Sequence, residues 1–140
     1  MVDQHVLSSR LSALEGYLAE LRSFVPLGRN RYVAEPALHH LAERMLHLAC
    51  ECVLDIAQHV IADQGFRQPA TYKDAMEILS QEGLLAAALS ARLQRWMGLR
   101  NVLVHFYIDI DHGRTFDAIA NDLGDLDQFA AGMARLLRTT

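Results

Sequence analysis

The chain has 140 residues, of which 51% are hydrophobic and 21% charged, and its formal net charge at pH 7 is −4. This composition excludes a disordered chain and predicts a single domain over residues 1–140. The negative charge excludes binding to nucleic acid by bulk attraction, so such binding requires a local basic site. We find no signal peptide and no uninterrupted apolar run long enough to cross a bilayer, and therefore expect a cytoplasmic protein that makes no membrane contact.

Apolar residues recur at helical spacing from the start of the chain. The first helix is marked by steps of three and four residues through Leu7, Leu11, Leu14, Leu18, Leu21 and Val25. Pro26 and Gly28 then interrupt the pattern. The Glu35-Pro36 pair can open a second, longer helix that continues to about Asp63, because proline is tolerated in a first turn.

The middle of the chain predicts a connector and two more helices. Residues 65–69 form the connector, and Thr71 is expected to cap a short helix over residues 72–81. A further helix is expected from Leu84 to about Tyr107, since no breaker interrupts its apolar stripe. Cys50 and Cys52 lie two residues apart on the second helix, where their side chains diverge, so no disulfide is expected between them.

The end of the chain predicts a turn followed by one last helix. Asp109, Asp111, His112 and Gly113 indicate the turn, and Thr115 or Asp117 is expected to cap the helix that follows. Its apolar face consists of Ile119, Leu123, Leu126, Phe129, Met133 and Leu136. The predicted fold is therefore an all-α bundle of four main helices and one short helix.

A polar stripe follows the second helix. His40, Glu43, His47 and Glu51 lie roughly on one face, and such a stripe can hold a metal in a helical bundle. Di-iron bundles, however, require Glu-x-x-His pairs on two helices, and no matching pair occurs here. We therefore interpret the stripe as a solvated or interface face rather than a metal site.

A second concentration of polar groups lies near residue 100. Arg100 and Tyr107 share one face of an ideal helix, and Asn101 and His105 lie one turn apart. Arg100 and His105 differ by about 140° on the same helix, so a symmetric dimer would help to bring both groups to one cleft. A purely structural role also remains open, because Arg and His at a helix C-terminus stabilise the negative end of its dipole.

The string Arg100-Asn101-x-x-x-His105-x-Tyr107 resembles the Arg-x4-His-x-Tyr signature of HepT-like toxins in the HEPN superfamily of all-α ribonucleases. The resemblance covers nearly the whole chain and includes Leu-Asp-Ile-Ala at 54–57 and Pro-x-x-Tyr at 69–72. It implies an endoribonuclease toxin that needs no metal or other cofactor. It also implies a partner, an MNT-type nucleotidyltransferase antitoxin, that transfers AMP to Tyr107 and so silences the toxin.

The residue chemistry agrees with this resemblance. RNA carries its own nucleophile, the 2′-hydroxyl, so His105 is expected to transfer the proton and Arg100 to stabilise charge on the phosphate. Asn101 is expected to orient His105 or contact the phosphate. Arg92 and Arg95 are candidates for contacting tRNA or mRNA, with Arg29 and Arg31 as further basic residues.

Two other interpretations stay open at this stage. In the first, the chain is a non-catalytic HEPN module that forms a homodimer and holds the nucleotidyltransferase. In the second, it is a plain helical scaffold whose motif only caps a helix. A neighbouring nucleotidyltransferase gene would count against the second of these, and growth arrest on expression would count against the first.

Overall fold

The fold was determined as a computed structural model that describes residues 3–139. Within that range all regular secondary structure is helical, with no β-strand. The seven α-helices are α1 Gln4–Arg22, α2 Arg29–Ala34, α3 Pro36–Asp63, α4 Tyr72–Gln81, α5 Ala87–His105, α6 His112–Asn121 and α7 Gly124–Thr139. Two 3-10 turns, Val25–Leu27 and Tyr107–Asp109, join them. The all-α fold is confirmed.

Helix α1 forms as its leucine spacing predicts. Asp3 caps it, since its side chain accepts hydrogen bonds from the backbone N–H groups of His5 and Val6, each at 3.1 Å. All five leucines of the predicted seam, from Leu7 to Leu21, are buried. They pack mainly against α3 and also against α7, which places α1 on the outside of the bundle with its polar face in solvent.

Helix α3 is the centre of the bundle and contacts all six other helices. It begins at Pro36 and runs for 28 residues. Its length and composition would allow it to span a membrane, but 61% of its most apolar window is buried inside the protein. That burial is typical of the central helix of a folded domain. Cys50 and Cys52 on this helix are both free, as expected.

Helix α4 has the predicted bounds and the predicted cap. The Thr71 hydroxyl accepts a hydrogen bond from the Asp74 backbone N–H at 3.0 Å. Asp74 in turn accepts from Arg67, at 2.7 and 2.8 Å, and from the Ala70 backbone N–H. These bonds fold the connector back against the first turn of α4 and hold Tyr72 at the start of the helix.

The predicted number of helices was wrong, because two helices were not recognised from the sequence. A short helix, α2, forms over residues that were predicted only as a break, and its Tyr32 is fully buried. The predicted last helix is two helices, α6 and α7, which meet around Asp122. The apolar pattern hides this break because Leu123 and Leu126 are both buried beyond it.

The predicted cap of the last segment was also wrong. Asp111 caps α6, accepting from the Arg114 backbone N–H at 3.2 Å, so His112 and Gly113 belong to the helix rather than to a turn. Thr115, a predicted cap, is instead 1% exposed and bonded inside the protein. Asp117 forms an ion pair with Arg29 at 3.0 Å.

Helix α5 is shorter at both ends than predicted. It begins at Ala87 and ends at His105, where Phe106 leaves the helical conformation with ψ of 37°. Aromatic and β-branched residues follow this end of the helix. Because their helix propensity is low, the helix ends here although no glycine or proline marks the position. Tyr107 therefore lies outside the helix, and its predicted position on the helical face of Arg100 was wrong.

Candidate active site

Arg100 is held from two sides at the C-terminal part of α5. Its Nε donates a hydrogen bond to Oε1 of Glu51 on α3 at 2.6 Å. Its guanidinium carbon lies 4.7 Å from the centre of the Tyr72 ring, a cation–π contact from the first turn of α4. Only 11% of the Arg100 side chain is exposed. Three helices thus fix the position of one guanidinium.

The remaining donors of Arg100 are less engaged. Nη1 makes a long contact of 3.4 Å with Oδ1 of Asn101, and within residues 3–139 Nη2 has no hydrogen-bond partner. Asn101 thus contacts Arg100, and no hydrogen bond joins it to His105 in the described chain. The edge of the guanidinium formed by the two Nη atoms is therefore the part of Arg100 that can bind phosphate oxygens.

His105 is the last residue of α5, and its side chain is exposed. Among the residues that the structure describes, none forms a hydrogen bond or an ion pair with its imidazole. Both ring nitrogens are consequently free to exchange protons with solvent or substrate. Within one chain, no hydrogen bond connects His105 to Arg100.

Tyr107 lies in an exposed apolar segment directly after α5. It is 67% exposed, and its neighbours Phe106 and Ile108 are 57% and 84% exposed. Three large apolar side chains in solvent are an unusual concentration for a small domain and indicate a contact surface. The Tyr107 hydroxyl is thus accessible to a modifying enzyme.

The predicted basic residues of α5 differ in their surroundings. Arg92 donates to Asp125 at 2.7 Å and to Gln128, so its charge is balanced within the fold. Arg95 is exposed and forms no ion pair with any described residue. Arg29 and Arg31 are paired with Asp117 and Glu35.

Arg95 lines a groove of about 520 Å³ between α5 and α6. Two further cations of this groove, Lys73 and Arg114, have no side-chain partner in the part of the chain that is described. The ring of Phe106 and the carboxylates of Asp109 and Asp111 also line it. The groove therefore combines three unpaired cations with an aromatic side chain beside the His105 end of α5.

The interpretation of the polar stripe on α3 as a solvated or interface face was wrong at Glu43, which is buried. Glu43 is 5% exposed, and its Oε2 accepts from His112 Nδ1 at 2.6 Å and from the Thr115 hydroxyl at 2.8 Å. The Tyr32 hydroxyl lies 2.8 Å from the Thr115 hydroxyl. This buried network joins α2, α3 and α6, and burial raises the pKa of Tyr32.

Three histidines pack at the N-terminal part of α3. The rings of His39 and His112 stack with centres 3.6 Å apart, and His40 meets His39 edge to face. His39 donates through Nδ1 to the Tyr32 carbonyl at 3.1 Å. Despite this concentration, no group of three or more His, Cys, Asp or Glu side chains within residues 3–139 is arranged to hold a metal ion.

Sequence reasoning missed the residues that hold Arg100 and Glu43. Glu51 was noted only as part of the stripe, and Tyr72 only as part of the connector string. His112 was assigned to a turn. A possible signal was the i, i+4 spacing of Glu43, His47 and Glu51, which places three polar groups on one side of the most apolar helix.

Comparison with known proteins identifies relatives over most of the chain. A tRNA nuclease HepT from Aphanizomenon flos-aquae is 28% identical over 119 residues, which are 85% of this chain and 81% of that protein. An mRNA nuclease HepT from Shewanella oneidensis is 32% identical over 84 residues, or 60% of this chain. The match spans 63% of the length of the Shewanella protein.

Solved structures share the fold. YutE from Bacillus subtilis has a TM-score of 0.84 and 27% identity, covering 99% of this chain and 92% of that one. A tri-AMPylated HEPN toxin from Shewanella oneidensis, solved in complex with an MNT antitoxin, has a TM-score of 0.86 at 22% identity, covering 96% and 99%. The family profile described as "Ribonuclease HepT-like" matches residues 14–133. The chain therefore belongs to the HepT-like ribonuclease family.

Proposed function

We propose that the protein is an endoribonuclease that cleaves RNA without a metal ion, using Arg100 and His105. The observation that carries the proposal is the state of these two side chains. Arg100 is held through its Nε while its Nη edge stays available, and His105 is exposed with both ring nitrogens free. Family membership and the names of two relatives, an mRNA nuclease and a tRNA nuclease, support RNA as the substrate.

In the proposed reaction the RNA supplies the nucleophile. His105 accepts the proton of the 2′-hydroxyl, whose oxygen attacks the adjacent phosphorus while the bond to the 5′-oxygen breaks. Arg100 pairs with the phosphate oxygens as negative charge builds on them. The leaving 5′-oxygen takes up a proton, and the first product carries a 2′,3′-cyclic phosphate.

A homodimer completes this site in the proposal. The 140° separation on α5 keeps Arg100 and His105 of one chain apart, whereas two copies of α5 across a two-fold axis can offer one imidazole as base and the other as acid. The exposed side chains of Phe106 and Ile108 supply apolar surface for such a contact. Sedimentation of the purified chain tests this, since a monomer that cleaves RNA would contradict the shared cleft.

Substrate binding is assigned to the groove between α5 and α6. Arg95, Lys73 and Arg114 are the unpaired cations there, and a protein of net charge −4 needs such a local basic site to bind RNA. Arg92, paired with Asp125, would contribute only if RNA displaces that pair.

The proposed partner is an MNT-type nucleotidyltransferase antitoxin that modifies Tyr107. A structural neighbour, the HEPN toxin of Shewanella oneidensis, is AMPylated and bound to an MNT antitoxin. Tyr107 fits the role of acceptor because it is exposed at the end of α5. An AMP group on its hydroxyl adds a phosphate and a base next to the cleft, which would block RNA by charge and by bulk. We place this toxin–antitoxin pair in the cytoplasm.

A cleavage assay tests the nuclease proposal. The unmodified chain, in the presence of a chelator, is expected to cut tRNA or mRNA, and Arg100→Ala and His105→Ala are expected to reduce cleavage to background. Arg138→Ala, an exposed arginine on α7, is the control. Cleavage retained by both motif variants would indicate a contaminating nuclease, and the chain would then be the non-catalytic module that only dimerises and holds the antitoxin.

A further inference from the structure

Glu51 is the acceptor at the centre of a chain of side-chain hydrogen bonds along α3. Its Oε1 accepts from Arg100 Nε at 2.6 Å and from His47 Nε2 at 3.2 Å. On the other side of the imidazole, Arg44 Nη1 lies 3.1 Å from His47 Nδ1. The chain of contacts therefore runs from Arg44 to Arg100 through two α3 side chains.

The donors in this chain fix the tautomer of His47. Arg44 can only donate, so His47 Nδ1 must accept and carries no proton. Nε2 then carries the proton of the neutral ring and donates it to Glu51. One neutral tautomer satisfies both contacts, and His47 and Arg100 donate to the same carboxylate oxygen of Glu51, Oε1.

The carboxylate of Glu51 is expected to weaken phosphate binding by Arg100. Glu51 brings a negative charge close to the proposed phosphate site, and like charges repel more strongly where solvent is limited. Since Arg100 is only 11% exposed, this repulsion is not fully screened. A carboxylate at that position is expected only if its orienting effect outweighs its repulsion.

The orienting effect follows from which atom is bound. Glu51 takes Nε, and Tyr72 covers a face of the guanidinium, so the plane and the direction of the group are both set. The two Nη atoms remain as a pair with the spacing that suits two phosphate oxygens. Occupying Nε removes the other edge with which Arg100 could bind phosphate in a different orientation.

We propose that Glu51 is a positioning residue of the ribonuclease site, which holds Arg100 through Nε so that its Nη edge meets the scissile phosphate, and that His47 orients Glu51. This inference rests on the proposed function. It assigns no proton transfer to Glu51 or His47. Both act on the reaction only through the placement of Arg100.

Kinetics of Glu51 variants test the proposal. Glu51→Gln keeps an oxygen that can accept from Arg100, whereas Glu51→Ala removes it. We expect kcat to fall about 10- to 100-fold in Glu51→Ala, as misplacement of a catalytic group typically costs, with a smaller loss in Glu51→Gln and KM changed less than threefold. The matched control is Glu35→Ala, which removes the 3.0 Å pair with Arg31 and should leave kcat unchanged.

Combining Glu51→Ala with a variant of Arg100 tests whether Glu51 affects kcat only through Arg100. Arg100→Lys keeps the positive charge but has no Nε–H for Glu51, so adding Glu51→Ala to it should cause no further loss of kcat. An undiminished loss in that background would overturn the proposal. So would unchanged kcat with tighter RNA binding in Glu51→Ala, which would identify Glu51 as a competitor of the phosphate.

An NMR measurement tests the hydrogen bond between Arg100 and Glu51 independently of activity. In a ¹H–¹⁵N spectrum of arginine side chains, the Arg100 Nε–H signal is identified by its absence in Arg100→Lys. We expect slow solvent exchange for this signal in the wild type and fast exchange in Glu51→Ala. If Arg100→Ala cleaves RNA as the wild type does, the proposed function fails even where the signal is protected. If Arg100 is essential and the signal is unaffected by Glu51→Ala, only the positioning role fails.

Discussion

Replacing Thr115 by valine tests the buried network that joins α2, α3 and α6. The Thr115 hydroxyl has one proton and lies 2.8 Å from the Glu43 carboxylate, to which it donates. Tyr32 must therefore be the donor in its own 2.8 Å contact with Thr115. Valine has nearly the same shape as threonine but lacks the hydroxyl, so it removes both bonds and a 3.0 Å contact with the His112 carbonyl. The Tyr32 hydroxyl then has no acceptor, and Glu43 has one donor fewer.

The expected cost follows from these two losses. A hydrogen bond to a charged group contributes about 1.5–3 kcal/mol, and a buried hydroxyl left without a partner costs about 1–3 kcal/mol. Because the two are not independent, we expect Thr115→Val to lower the free energy of unfolding by about 2–4 kcal/mol. That is a large part of the stability of an ordinary domain.

Urea unfolding followed by far-UV circular dichroism measures this loss, and a double-mutant cycle with Tyr32→Phe gives the part due to the shared bond. In the Tyr32→Phe background no hydroxyl is orphaned, so Thr115→Val should cost about 1–2 kcal/mol less than in the wild type. A loss below 0.5 kcal/mol, on the order of a neutral surface change, or strictly additive losses would refute the donor assignment.

Three further predictions concern charge and modification. The pKa of Asp74 is lowered to about 2 by Arg67 and the Ala70 N–H, so its stabilising contribution is present above the ordinary pKa near 4 and lost as pH falls to about 2; unfolding curves of the wild type and Asp74→Asn should therefore converge at pH 2. Arg114→Glu should weaken RNA binding about 3- to 30-fold and reduce its salt dependence, measured by fluorescence anisotropy against Arg135→Glu on α7, and equal effects of both variants would argue against the groove. Tyr107→Phe should gain no AMP by intact-mass measurement when expressed with the nucleotidyltransferase and should still arrest growth, whereas adenylation of that variant would exclude Tyr107 as the acceptor.

Helical periodicity predicted the elements whose apolar face is continuous and whose ends carry strong signals. The Leu7–Leu21 seam and the Thr71 cap both lie where the sequence places them. The α6–α7 break was missed because burial of Leu123 and Leu126 preserves the period while the backbone turns. The end of α5 was missed for another reason, since His105 is followed by neither glycine nor proline.

The candidate site was predictable in its motif but not in its surroundings. Arg100 and His105 were chosen as candidates from their spacing and from a family signature, and local sequence is sufficient for that choice. Glu51 contacts Arg100 across 49 positions of sequence, and Tyr72 reaches it from another helix. Such partners depend on how α3, α4 and α5 pack, which no spacing within one helix encodes.

The two polar networks are attached to the same rigid element. Glu43 and Glu51 lie eight residues apart on α3, about 12 Å along its axis. A shift of α3 by one turn would therefore break the internal bonds of Thr115 and His112 and release Arg100 in the same event. Variants that loosen the N-terminal half of α3 are thus expected to lose activity together with stability, because both networks depend on the position of this one helix.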